Sequence, residues 1–153
     1  MAQPVFPVTV AYDHNKGSYV EEYTPSQTGG QTLGYGEFCV LTAAVILRCG
    51  VNPAAITGLS EVDSEKARVL TPNGKIPIRV MNSEMTLVMS SLTVPVEATH
   101  LNNVYGITRD ANGIWQVDVA KSGILTVVRL DIPNGFWYCK ILASVLTNDG
   151  IVS

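Results

Sequence analysis

The sequence predicts a single all-β domain, built as a β-sandwich or a barrel, and three observations lead to this class. The chain has 153 residues, which is the usual size of one domain. Short runs rich in β-branched and aromatic residues recur along it, separated by turn-forming Asn, Pro and Gly. No long stretch holds the apolar period of a helix. Jelly-roll, Greek-key and β-tulip-like arrangements all satisfy this pattern.

Each predicted strand is a short run dominated by apolar, β-branched or aromatic residues. In chain order the predicted strands are Val5–Tyr12, Tyr35–Leu41, Ala44–Arg48, Ala54–Leu59, Ala67–Leu70, Ile76–Val80, Met85–Met89, Val104–Thr108, Trp115–Val119, Leu125–Leu130 and Phe136–Leu146. Even-numbered positions of Ile76–Val80 are apolar, so one face of that strand is expected to be buried. Pro77 lacks a backbone N–H, which predicts an edge strand or a bulge there.

Turn signals lie between these runs, because Gly and Asn accept a positive φ. They are Asn15-Lys16-Gly17, Pro72-Asn73-Gly74, Asn112-Gly113, Pro133-Asn134-Gly135 and Asn148-Asp149-Gly150. Asn73-Gly74 and Asn112-Gly113 are the clearest hairpin candidates. Ser60–Lys66 is predicted to form one helical turn, with Ser60 as its N-cap.

The longest stretch without periodicity, Glu22–Gly34, is rich in Thr, Ser, Gln and Gly, and it is predicted to be a loop or an arm. We therefore divide the chain at this point. Residues 1–34 form an N-terminal arm and loop with a possible first strand. Residues 35–153 form the β-rich domain.

The balance of charge and hydrophobicity indicates association with other protein. Charged residues make up 15% and hydrophobic residues 46% of the chain, against about 25% charged in an ordinary domain. A chain with few charges leaves apolar patches on its surface, and such patches mark contact sites. The net charge of −3, without a basic stripe, argues against nucleic acid as a partner. No apolar run approaches the length of a membrane helix, and the first residues lack the pattern of a secretion signal.

Residue types that carry catalysis or bind metals are not arranged for either task. Cys39, Cys49 and Cys139 each lie in an apolar run, so we interpret them as buried free thiols. His14 and His100 are far apart in the sequence and lack a metal-ligand spacing. No serine lies in a nucleophile elbow, and the glycines before Tyr35 lack the lysine of a phosphate-binding loop. The sequence predicts a protein that is not an enzyme and holds no cofactor.

One aromatic cluster, Phe136-Trp137-Tyr138, stands out. Neighbouring residues of a strand face opposite sides, so Trp137 points away from Phe136 and Tyr138. Trp137 is predicted to cover a second sheet in the core, although a contact with a partner or a carbohydrate would use the same ring.

Three segments resemble the small capsid cement, or head decoration, proteins of tailed bacteriophages. They are Gln31–Leu41, with glycines at Gly34 and Gly36, then Ala55–Glu61, then Val104–Ile107. Together they lie within residues 31–112. The resemblance implies a structural virion protein, made in the host cytoplasm and not secreted, that binds the outer surface of a capsid and stabilises its lattice.

The resemblance also implies the partners. They are the major capsid protein and further copies of the same chain, with a trimer favoured. An arm that orders on binding would contribute to the contact. The candidate partner-binding residues are Thr24, Gln27, Thr28, Gln31, Leu33, Tyr35 and Trp137. The alternative is a ligand- or glycan-binding β-domain of a phage tail or host-surface protein, with Trp137 and Tyr138 as its aromatic platform.

Overall fold

In the described part of the chain, the fold consists of a six-stranded sheet, a five-stranded sheet and a two-stranded sheet, with one short helical turn. A computed structural model describes residues 3–13, 19–23, 32–42, 45–61, 68–69 and 75–146. Within these ranges the elements, in chain order, are β1 Thr9–Asp13, β2 Tyr19–Tyr23, β3 Thr32–Leu33, β4 Phe38–Thr42, β5 Val45–Arg48, β6 Gly58–Ser60, β7 Arg68–Val69, β8 Ile76–Val80, β9 Met85–Ser91, α1 Glu97–His100, β10 Val104–Arg109, β11 Trp115–Asp118, β12 Leu125–Asp131 and β13 Phe136–Ile141. The predicted all-β class is confirmed.

Five strands of the C-terminal half close into a barrel in the order β9, β11, β10, β12 and β13. The ring closes because β9 pairs with two members of this set. It pairs parallel to β11, where Ser90 faces Gln116, and antiparallel to β13, where Met89 faces Trp137. Closure satisfies strand edges that would otherwise be exposed. The interior is filled by apolar side chains from all five strands, among them Leu87, Ile107, Trp115, Val127 and Trp137.

The second sheet has the strand order β2, β8, β6, β4 and β5, and β3 pairs with β7 beside it. Its own cluster of buried residues consists of Leu33, Cys39, Ile46, Ile76 and Ile78. Adjacent strand residues face opposite sides, so β4 contributes Phe38 to the barrel core and Cys39 to this second cluster. Strand β4 therefore packs against both cores.

The alternation predicted for Ile76–Val80 is confirmed, because Ile76, Ile78 and Val80 are buried. The prediction of an edge or bulge at Pro77 is wrong, since β8 lies between β2 and β6. Strand β6 ends at Ser60, and beyond it Glu61 N–H donates to the Pro77 carbonyl at 2.9 Å. In a strand, the N–H and C=O groups of one residue point to the same side, so the missing N–H of Pro77 would face the β6 side of the strand. The pairing of β8 with β6 ends at Ile78, so no β6 acceptor is left without a donor there. A central strand tolerates the proline there.

The hairpin predicted at Asn112-Gly113 is confirmed between β10 and β11. Gly113 has a φ of 85°, and the Asp110 side chain accepts the N–H groups of Asn112 and Ile114. The turn at Asn134-Gly135 joins β12 to β13 in the same way, with Gly135 at a φ of 70°. The predicted turns at Asn15-Lys16-Gly17, Pro72-Asn73-Gly74 and Asn148-Asp149-Gly150 lie outside the described residues.

The N-terminal arm predicted for residues 1–34 is not confirmed. In the described part of this segment, β1 pairs with β9 and β2 pairs with β8. The Phe6 ring packs on Phe136 at 5.1 Å, and the Phe6 carbonyl accepts the Ser90 hydroxyl. The three strands of this segment, β1, β2 and β3, are thus paired with later strands of the chain. The helical turn predicted at Ser60–Lys66 falls largely outside the described residues, and Ser60 itself ends β6.

Candidate functional site

The most exposed apolar feature of the described chain follows β9. Leu92, Val94 and Val96 are 75%, 58% and 47% exposed, whereas Pro95 between them is buried. We call Leu92, Val94 and Val96 the 92–96 ridge. Single exposed apolar residues are normal on a protein surface, but three within five residues of one segment concentrate apolar surface at one place along the chain.

The start of the ridge is fixed by the end of β9. The Ser91 hydroxyl donates to the Val117 carbonyl at 2.8 Å, and it accepts the Thr93 N–H at 3.1 Å. Ser91 itself is fully buried. These bonds attach the segment to β11, so the ridge leaves the barrel at a defined place.

The end of the ridge is fixed by α1. The Val96 N–H donates to His100 Nδ1 at 2.9 Å, and the His100 imidazole lies 5.0 Å from the Trp137 ring and 5.9 Å from the Tyr105 ring. Both aromatic residues belong to barrel strands. The turn is therefore packed on the barrel wall by one histidine.

The chain segment that contains the ridge carries almost no charge. Between Glu84 and Arg109 the chain contains a single Asp, Glu, Lys or Arg residue, Glu97. Backbone bonds between Asn102, Asn103 and Val127 join the segment after α1 to β12, where Val128 is exposed as well. Exposed aliphatic side chains in a segment nearly free of charge have the composition of the centre of a protein–protein contact.

A second notable cluster is a buried carboxylate between the two sheets. Glu37 is 1% exposed, and its Oε1 accepts Arg109 Nε at 2.5 Å and Trp115 Nε1 at 3.2 Å. Its Oε2 accepts the Gly34 N–H at 2.7 Å, and Arg48 Nε lies 3.9 Å from Oε1. Glu37 directly precedes β4 in the second sheet, whereas Arg109 and Trp115 belong to the barrel. Because both oxygens are engaged by fixed donors, the cluster joins the sheets and offers no free base.

The three cysteines are free and buried, as the sequence predicts. Burial raises the pKa of the Cys49 thiol to about 12 and that of Cys139 well above its usual range. The pKa of Cys39 is raised chiefly by burial, with smaller contributions from Cys49 and Glu37 against an opposing one from Arg48. At neutral pH these groups are thiols, which are poor nucleophiles.

Two of the predicted partner-binding residues lie in the interior, where a partner does not reach them. Leu33 is fully buried in the core of the second sheet, and Trp137 is fully buried in the barrel. Trp137 therefore covers the core and is not a surface platform. Tyr35 is half-buried in the turn before β4. The predicted residues Thr24, Gln27, Thr28 and Gln31 lie outside the described residues.

The sequence interpretation missed the 92–96 ridge and located the contact in the arm instead. The signal was present, because Leu92, Val94 and Val96 alternate with Thr93 and a proline in a stretch nearly free of charge. The same alternation is also typical of a half-buried strand, so the pattern alone did not indicate exposure.

Among the described residues, no three His, Cys, Asp or Glu side chains converge as ligands for a metal ion. The described helices include none that is long and apolar enough to cross a membrane. In comparisons with known proteins, no family model, no curated protein and no solved structure matches this chain.

Proposed function

We propose that this protein is a structural, non-enzymatic component of a bacteriophage particle that docks on the outer surface of the capsid through the 92–96 ridge. The observation that carries the proposal is the exposure of Leu92, Val94 and Val96 in a segment almost without charge. Reinforcing a lattice needs a buried contact and no turnover. The resemblance of residues 31–112 to capsid cement proteins supports the choice of particle.

The strength of the contact follows from the exposed fractions. Full burial of an aliphatic side chain stabilises a contact by about 1.5–3 kcal/mol, so covering the partly exposed ridge contributes about 3–5 kcal/mol. Association itself costs about 4–15 kcal/mol, so one ridge binds weakly. A trimer would present three ridges to one lattice, and multivalent contact raises the overall affinity. This argument supports the homo-oligomer that the resemblance implies.

The alternative, a glycan-binding domain, requires an exposed aromatic platform. Trp137 lies in the core, and the Arg129 guanidinium covers the Tyr138 ring at 4.7 Å from its centroid. Neither residue offers the open face on which a sugar stacks. We therefore favour docking on protein.

The test is co-sedimentation of the purified chain with expanded capsids of the phage that encodes it, after its mass in solution is measured by light scattering. Val94→Lys introduces a charge into the ridge, and burying that charge without a partner should weaken capsid binding about tenfold or more. Val20→Lys is the matched control, since Val20 is 46% exposed on β2 of the second sheet.

The proposal predicts that Val20→Lys binds like the unmodified chain while Val94→Lys does not. Equal binding of the two variants would show that the ridge is not the contact. A strict monomer that never sediments with capsids would contradict the proposed function as a whole.

A further inference from the structure

The ridge is held by a ring of hydrogen bonds between Val96 and His100. The Val96 N–H donates to His100 Nδ1 at 2.9 Å, and the Val96 carbonyl accepts the His100 N–H at 2.8 Å. Val96 is the N-cap of α1, and no side chain of its own caps the turn. The imidazole, four residues further along, instead accepts the N–H of the N-cap residue itself. Such a bond exists only while Nδ1 keeps its lone pair.

The imidazole is almost enclosed. His100 is 7% exposed, and it packs against the Trp137 ring of β13 and the Tyr105 ring of β10, which also contact each other. The Tyr105 hydroxyl and the Asn103 amide both donate to the Thr99 carbonyl, which fixes the rest of the turn. A charge on His100 would therefore be formed in a largely apolar environment.

The neighbouring elements supply no counter-ion from the described part of the chain. On α1 itself the charged residue is Glu97, which is exposed. Tyr105 is the titratable group from β10, and Trp137, whose Nε1 has no hydrogen-bond partner, faces the ring from β13. From β12, Arg129 lies over Tyr138 instead. No described carboxylate is within ion-pair distance of His100.

We propose that His100 is a pH-sensitive latch that holds the 92–96 ridge in its docking conformation. Imidazole side chains change charge between about pH 5 and 8. A proton on Nδ1 would place two N–H donors against each other and bury a positive charge without a carboxylate. The contact with the Trp137 ring, which is tilted by 44° to the imidazole, stabilises an imidazolium only in part, because the neutral imidazole makes the same contact. Protonation therefore releases the turn.

The consequence for docking rests on the proposed function, whereas the latch itself does not. In acid the Val96–His100 end of the segment loses its attachment to the Tyr105 and Trp137 rings, while the Ser91 bonds still hold its start, so the ridge loses its fixed geometry. Docking should be favoured at neutral pH and weakened in mild acid. His100 is a positioning residue, since it acts on the partner only through Val96.

The latch is tested by amide hydrogen exchange of the free full-length chain at about pH 7.5 and about pH 5.5, with rates corrected for their intrinsic pH dependence. Peptides covering residues 92–100 should open roughly tenfold more in acid, the effect of leaving one buried donor unpaired. His100→Gln offers an acceptor that does not titrate, so its exchange should be independent of pH. His14→Gln, the same change at the other histidine, should keep the pH response.

Equal protection at both pH values in the unmodified chain would overturn the latch, and so would loss of the response in His14→Gln. Capsid sedimentation at the same two pH values separates the two proposals. If the segment opens in acid but the chain never binds capsids, the latch stands and the proposed function fails. If the chain binds capsids equally at both pH values and the segment stays closed, the latch fails and the proposed function stands.

Discussion

The buried carboxylate between the sheets gives the sharpest prediction about stability. Replacing Glu37 by Gln preserves the size of the side chain and removes its charge. A carboxylate accepts from Arg109 and Trp115 at one oxygen and from Gly34 at the other. An amide keeps only one acceptor, so its NH2 group must face one of these donors.

The expected loss follows from this geometry. Removing one partner of a buried ion pair costs about 3–5 kcal/mol. The Arg109 side chain is 25% exposed and recovers part of its hydration, so we expect about 2–3 kcal/mol. A chain of this size loses about 2–4 °C in Tm per kcal/mol, which gives a decrease of about 5–10 °C for Glu37→Gln.

The assay is thermal unfolding of the intact chain followed by circular dichroism, with Glu61→Gln as the matched control. Glu61 pairs with Arg79 at 2.6 Å, a distance close to that of the Glu37–Arg109 pair, but both side chains are partly exposed. Such pairs contribute less than about 1 kcal/mol. If Tm decreased by the same amount in both variants, the burial of Glu37 would not explain the strength of its pairing, and the reasoning would be refuted.

Two further predictions concern the cores. Burial raises the pKa of Cys49 from 9.0 to about 12, so the unfolded chain loses a proton that the folded chain keeps. The contribution of the buried Cys49 thiol to the free energy of unfolding is therefore complete below about pH 9 and is lost as the pH rises toward 12. Urea midpoints should fall over that range, and they should fall less steeply in Cys49→Ala. Equal slopes for the two chains would contradict the assignment. In β6, a Cβ on Gly58 would overlap the Arg79 carbonyl oxygen and lie 2.6 Å from Ile78 Cγ2. Gly58→Ala should therefore lower the free energy of unfolding by several kcal/mol. The control is Gly50→Ala, which should unfold like the unmodified chain because nothing lies within 4 Å of the added Cβ. Equal urea midpoints for the two variants would contradict this account of the packing at Gly58.

The barrel strands were predictable because their patterns are local. Runs such as Leu125–Leu130 combine β-branched residues with flanking turns, and the strand there is Leu125–Asp131. Every predicted strand overlaps a strand of the structure. Strand β2 was missed, because the consecutive acids Glu21 and Glu22 interrupt the alternation and its pairing with β8 provides the stabilisation. Sequence patterns do not report such tertiary pairing.

The candidate site was less predictable, because exposure depends on the closed barrel. Trp137 and Leu33 become core residues through strands that pair far along the chain, and the sequence alone left both available to a partner. The short helix at Glu97–His100 has a valine at its N-cap, so the usual cap signal is missing. His100 supplies the acceptor instead, and its role appears only when Val96 is seen to donate to it.

The measurement that tests the central claim most directly is an electron cryomicroscopy reconstruction of expanded phage capsids incubated with this chain. We predict density for the chain on the outer surface, with Leu92, Val94 and Val96 covered by the major capsid protein. Capsids without such density, or a bound chain whose ridge faces solvent, would contradict the account.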